Sequence, residues 1–81
     1  MPSASASITV NGTTRTVPEG WKIVDLLSEV GMPAERVAVE VNQQIIDRRD
    51  YVTTRLRAGD RVEIITFVGG GSPAMEGPDG R

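Results

Sequence analysis

Residues 8–31 read ITVNGTTRTVPEGWKIVDLLSEVG. Ile8-Thr9-Val10 alternates apolar and polar side chains, and Thr14, Thr16 and Val17 follow Asn11-Gly12. Asn-Gly between two β-prone runs predicts a tight hairpin, because both residues accept the positive φ of a type I′ turn. Pro18-Glu19-Gly20 closes it, and the period then changes. Ile23, Leu26, Leu27 and Val30 fall at i, i+3, i+4 and i+7, one stripe of a helix over residues 23–30. Asp25 lies in the first turn, where a carboxylate suits the positive end of the helix. Gly31 is placed to end the helix in a left-handed conformation, with Pro33 shortly after.

Outward from this stretch the chain returns to strands. Val37, Val39 and Val41 alternate with Ala38 and Glu40, and Asn42-Gln43 can turn the chain into Gln44-Ile45-Ile46. Asp47 to Arg57 is polar, with Tyr51, Val52 and Leu56 as expected anchors. Ala58-Gly59-Asp60 is a turn, and Arg61 to Val68 reads as the longest strand. On the N-terminal side, Met1 to Ala6 is small and polar. The expected organisation is a disordered terminus over 1–6, a folded body over 7–68 and a flexible glycine-rich tail over 69–81, which lacks the apolar content to fold. One helix must cover one face of one mixed sheet, since nothing else can bury its apolar stripe. The class is α+β, and the arrangement that satisfies it is the ubiquitin-like β-grasp fold. In that fold the first and last strands run parallel, a property of the fold and not of any periodicity in this chain. The expected core is Ile8, Val10, Ile23, Leu26, Leu27, Val39, Val62 and Ile64.

Composition removes most chemistries. A chain of 81 residues buries only about 60% of the surface its unfolded form exposes, too little for a deep pocket walled by its own residues. There is no cysteine and no histidine. Disulfides, thiolate nucleophiles, Cys/His zinc sites and histidine acid–base catalysis are excluded together, and no metal site is expected. The net charge of −2 argues against a nucleic-acid partner. No apolar run approaches the roughly 20 residues of a membrane span. The N-terminal MPSASAS has neither a basic start nor an apolar stretch, so a signal peptide is not expected. A cytoplasmic location follows by default.

Individual side chains give little sign of catalysis. Asp47 and Asp50 lie on a polar connecting segment and read as solvated charge. Thr53-Thr54 beside Arg55 lacks the glycines and the helix of a phosphate loop. Trp21 reads as a cover over the helix start, Tyr51 as an anchor at the edge of the core, and Arg48 as a salt-bridge or loop-bracing residue. In the last strand, side chains alternate between faces. If Val62 and Ile64 face the helix, Ile65 and Phe67 face outward, and exposed apolar residues beside a tail mark a partner surface. Gly69-Gly70-Gly71 follows directly. Without Cβ atoms, such a run can thread a narrow channel. On composition alone it reads equally well as a Gly/Ser/Pro linker.

A resemblance covers roughly residues 7 to 71. Val10-Asn11-Gly12, Val17-Pro18-Glu19-Gly20, Asp25-Leu26-Leu27, Arg36-Val37-Ala38-Val39, Asn42-Gln43-Gln44-Ile45-Ile46, Arg48, Gly59-Asp60 and Phe67-Val68-Gly69-Gly70-Gly71 stand in order and spacing. Together they make the chain similar to the ThiS family, the sulfur carriers of thiamine-thiazole synthesis. Each piece is short, and the set ending in FVGGG carries the specificity. The resemblance implies a protein that is not itself an enzyme and holds no cofactor. An E1-like adenylating enzyme of the ThiF type would activate the carboxylate of Gly71, sulfur would replace AMP, and a ThiG-type thiazole synthase would take the sulfur. With it, Gly69 and Gly70 are the expected threading tail, and the outward residues Ile65 and Phe67, with Val68, the expected partner surface, unless Phe67 folds over the sheet edge.

The chain departs from the family pattern in four places. Lys22 stands where a threonine usually caps the helix, Asp47 replaces a common proline, and Tyr51 stands where tryptophan is frequent. The fourth departure touches function: the family normally ends at Gly-Gly, and this chain continues for ten residues from Ser72 to Arg81. The carrier reading therefore includes a protease that removes Ser72 to Arg81. Three alternatives stand beside it. One is a related carrier serving molybdopterin, cysteine or tRNA thiolation. Another is a ubiquitin-like interaction module that is never acylated. The last is one piece of a fusion with a downstream enzyme.

Overall fold

A computed structural model describes residues 4–67. The elements run β1 (Ser5–Val10), β2 (Thr13–Pro18), α1 (Ile23–Val30), a 3-10 turn at Ala34–Arg36, β3 (Val37–Val41), β4 (Gln44–Ile46), a second 3-10 turn at Arg48–Asp50, and β5 (Arg61–Thr66). Among the described residues the five strands form one mixed sheet of order β2-β1-β5-β3-β4. β1 and β5 pair in parallel, and the other pairings are antiparallel. This is the β-grasp arrangement, with α1 as the crossover that parallel pairing requires.

The two hairpins are set by their turns. Asn11 and Gly12 both take positive φ, 50° and 84°, as do Asn42 and Gln43 at 52° and 70°. These are I′-type turns, whose twist matches that of the flanking strands. A two-residue turn fixes register, so Val10 faces Thr13 and Val41 faces Gln44. Register in turn fixes which face each side chain occupies.

α1 is stopped in the way its sequence requires. Gly31 adopts φ 76°, its amide donates to the Ser28 carbonyl at 3.2 Å, and Met32 N–H donates to the Leu27 carbonyl at 2.9 Å. This pair of bonds is the Schellman ending, and it needs a residue free of the Cβ penalty at positive φ. The start is solved differently. Lys22 has no acceptor to cap with, and only the reciprocal half of a capping box forms: its own N–H donates to Asp25 Oδ2 at 2.8 Å. The first free amides of the helix find carbonyls on the connecting segment. Ile23 N–H donates to Thr54 at 3.1 Å and Val24 N–H to Tyr51 at 3.0 Å. The missing threonine cap is thus replaced by tertiary backbone contacts, which satisfy donors that a helix start otherwise leaves open.

The core lies between α1 and the inner face of the sheet. All eight expected residues are buried, together with Ala6, Val17, Val37, Tyr51 and Leu56. Three expectations need correction. Ser5 and Ala6 are not frayed: Ala6 pairs with Val17 on the inner face, and Glu19 N–H donates to the Ala4 carbonyl at 3.1 Å, so the hairpin draws the chain in. Val52 is not an anchor; it is 57% exposed. Tyr51 takes the inward place at the end of the 3-10 turn, and two adjacent side chains of a tight turn cannot both point at the core. β5 ends at Thr66 and not at Val68, because its partner strand begins at Val37, which pairs with Thr66. Val68 and the tail from Gly69 to Arg81 lie outside the described residues.

Candidate functional site: the outlet of the central strand

β5 lies in the middle of the sheet and feeds the chain towards Gly69. Two asparagines hold it, one at each end and each from the first position of a hairpin turn. Asn42 secures the beginning: its Nδ2 donates to Asp60 Oδ1 at 3.0 Å and its Oδ1 accepts from Arg61 N–H at 2.9 Å. Asp60 also accepts from Arg57 N–H at 2.8 Å, which closes the turn before the strand. Asn11 secures the far part. Its Oδ1 accepts from Ile64 N–H at 2.7 Å, and its Nδ2 donates to the Ile64 carbonyl at 3.2 Å. The last backbone rung between β1 and β5 runs from Asn11 N–H to the Val62 carbonyl at 2.9 Å, and the Asn11 side-chain amide supplies the next one. On the other side, Phe67 N–H donates to the Arg36 carbonyl at 3.1 Å.

The strand presents its faces as alternation requires. Val62 and Ile64 are buried, whereas Ile65 is 48% and Phe67 38% exposed. Both therefore stand on the sheet face away from α1. Register places further residues beside them. Ala38 is opposite Ile65, Glu40 is opposite Glu63, and Ile45 of β4 is opposite Glu40. Ile45 is the most exposed large apolar residue described, at 75%. The outer face is thus apolar near the outlet, with a pair of glutamates behind it. Ile45, Glu40 and Glu63 were not singled out from sequence. For Ile45 the signal was there: a two-residue turn at Asn42-Gln43 fixes the register that sets it opposite Glu40, whereas Glu63 joins them only through the long-range pairing of β3 with β5.

Among the described residues, no group of three or more acidic, histidine or cysteine side chains is close enough to hold a metal. The other sequence candidates have structural roles. Asp47 Oδ1 accepts from Arg49 N–H at 3.2 Å and Asp47 pairs with the Arg49 side chain at 3.4 Å, so it shapes the 3-10 turn. The Thr53 hydroxyl donates to the Asp50 carbonyl at 3.3 Å. The Arg48 carbonyl accepts from Tyr51 N–H at 3.0 Å, and among the described residues the Arg48 side chain forms no ion pair. The buried Tyr51 hydroxyl makes a long bond to the Val37 carbonyl at 3.5 Å. Trp21 packs half-buried on the core, and its carbonyl accepts from Leu56 N–H at 2.7 Å. What the outlet can do is present: a rigid strand end, an apolar rim and the chain that follows.

A profile of the ThiS family matches residues 8–71. The chain belongs to the ThiS family. Solved structures agree with it. A crystal structure of the thiamine biosynthesis protein ThiS from Geobacter metallireducens is 38% identical, with a TM-score of 0.69, covering 80% of this chain and 99% of that one. A solution structure of a thiamine biosynthesis protein from the same organism is also 38% identical, with a TM-score of 0.68. Among curated sequences, a thiazole synthase from Paramagnetospirillum magneticum is 35% identical over 65 residues, 80% of this chain. The ThiS-type chain spans only 20% of that relative's length. An uncharacterized protein, ycf40, from Porphyra purpurea is 35% identical over 71 residues and is matched along 100% of its length. The ThiS match ends on Gly71, so the family pattern stops at the third glycine and Ser72 to Arg81 lies beyond it.

Proposed function

We propose that this chain is a sulfur carrier of thiamine-thiazole synthesis that carries sulfur as a thiocarboxylate on Gly71. The observation that supports the reading most directly is the ThiS match ending on Gly71, beyond a strand whose outer side bears Ile65 and Phe67. The chemistry needs no catalytic side chain from the carrier. The Gly71 carboxylate attacks the α-phosphorus of ATP in an adenylating enzyme of the ThiF type, forming the acyl-adenylate and releasing pyrophosphate. Hydrosulfide, released by the sulfur donor, then attacks the acyl carbon, the C–O bond to AMP breaks, AMP leaves, and the thiocarboxylate remains. A ThiG-type synthase takes the sulfur, and the joining of a ThiS-like stretch to a thiazole synthase in the Paramagnetospirillum relative favours that recipient. Gly69 and Gly70 supply the slender approach to the partner's channel, and Ile65, Phe67 and Val68 dock against its wall.

Activation requires a free α-carboxylate. In the chain running to Arg81, the carbonyl of Gly71 is locked in an amide to Ser72 and offers no anionic oxygen to ATP. Removal of Ser72 to Arg81 by a protease therefore precedes loading. The test compares the chain ending at Arg81 with one ending at Gly71. Each is incubated with the adenylating enzyme, ATP and a sulfur donor, and intact mass is read. The shorter protein gains the sulfur-for-oxygen increment and the longer one does not. Equal loading of both overturns the assignment of Gly71.

A further inference from the structure

On the outer face of the sheet, Glu40 of β3 and Glu63 of β5 stand directly opposite each other. Directly opposed residues on antiparallel strands have Cβ atoms about 4.5–5.5 Å apart, and like charges there are destabilising. Among the described residues neither glutamate is part of an ion pair. Arg61, two residues before Glu63 on the same side of β5, forms no ion pair with either; among the described residues the only ion pair within 4.0 Å is Arg49 with Asp47. Both glutamates are half-buried, so their charges are less well solvated than those of free side chains. Apolar residues bracket them on two sides. Ile45 is opposite Glu40, and Ile65 follows Glu63 on the same face with Ala38 across from it.

From this arrangement we infer that the outer face is a docking surface for a protein partner that inserts an arginine between Glu40 and Glu63, with apolar side chains seated on Ile45 and Ile65. The inference rests on the carrier reading in naming that partner as the adenylating enzyme, because the patch lies at the root of the chain that enzyme must receive. Charge complementarity selects the occupant. A planar guanidinium has five donors and can bond two carboxylates at once, which an ammonium does less well. An apolar surface without a cation would bury two like charges unpaired, which is costly. The repulsion tolerated in the free protein thus becomes discrimination in the complex, since a partner lacking the arginine is rejected.

The arrangement makes an unusual pair of expectations with opposite signs. Glu63→Gln and Glu40→Gln each remove the repulsion, so each raises the melting temperature of the free protein, by a few degrees for a domain of this size. Each also removes half of the guanidinium site, so binding to the adenylating enzyme weakens by about fivefold and loses part of its salt dependence. Binding is measured by titration calorimetry at two salt concentrations, with the carrier ending at Gly71 and the enzyme of the same organism. A variant that is more stable and binds more weakly supports the inference. Unchanged affinity in both variants, or no binding of the unmodified carrier, overturns it. Sulfur loading is read separately by intact mass. A carrier that loads normally while both variants bind as tightly as the parent leaves the carrier reading standing and removes this surface alone.

Discussion

The Asn11 amide offers the sharpest test of how the outlet is built. Asn11→Gly keeps a residue suited to positive φ, so the I′-type turn survives with little strain, while both side-chain bonds to Ile64 vanish. Those bonds measure 2.7 and 3.2 Å and are partly shielded from water. At about 1 kcal/mol net for each, their loss costs about 2 kcal/mol. A domain of this size loses roughly 4–8 °C of melting temperature per kcal/mol, so the expected drop is about 8–16 °C. Asn42→Gly is the matched control. Asn42 has nearly the same φ and also makes two side-chain bonds, but both are exposed. Water replaces them more readily, and about half the loss is expected. Thermal unfolding can be followed through the single tryptophan, Trp21, and amide exchange should quicken at Ile64 in the first variant only. A melting temperature within about 2 °C of the parent for Asn11→Gly would refute the reasoning. So would a larger loss from Asn42→Gly.

Two further outcomes follow from burial. Leu27→Ala removes a fully enclosed side chain on the sheet-facing side of α1 and should cost about 2–5 kcal/mol by denaturant titration, a large part of the stability of so small a domain. Phe67→Ala should leave the unfolding midpoint nearly unchanged and weaken binding to the adenylating enzyme; a large stability loss with unchanged binding would place Phe67 in the core instead.

Much of this molecule is legible in its residues because local and global preferences agree. Asn11-Gly12 asks for a hairpin and receives one, the 23–30 stripe meets the sheet, and Gly31 stops the helix where its backbone alone is comfortable. Alternation along Arg61 to Phe67 divides buried from exposed side chains correctly. What escaped was long-range. Asn11 and Asn42 read as turn formers, and nothing local says that their amides reach strand β5, which lies 53 residues away for Asn11 and 19 for Asn42. Val52 was misplaced because apolar character alone does not say which of two neighbours a 3-10 turn aims inward. The opposition of Glu40 and Glu63 depends on the pairing of two strands distant in sequence, which no periodicity within either strand reveals. The acceptors of the helix start were hidden for the same reason, since they belong to Tyr51 and Thr54.

The central position of β5 has a mechanical consequence. A partner that grips the chain beyond Phe67 pulls along the axis of a strand bonded on both flanks, to β1 and Asn11 on one side and to β3 on the other. Traction in that direction loads the rungs in shear, sharing the force among them, whereas a terminal attached to an edge strand can be unzipped one rung at a time. Under such a pull the folded body would act as an anchor, yielding only when all the rungs of β5 give way together.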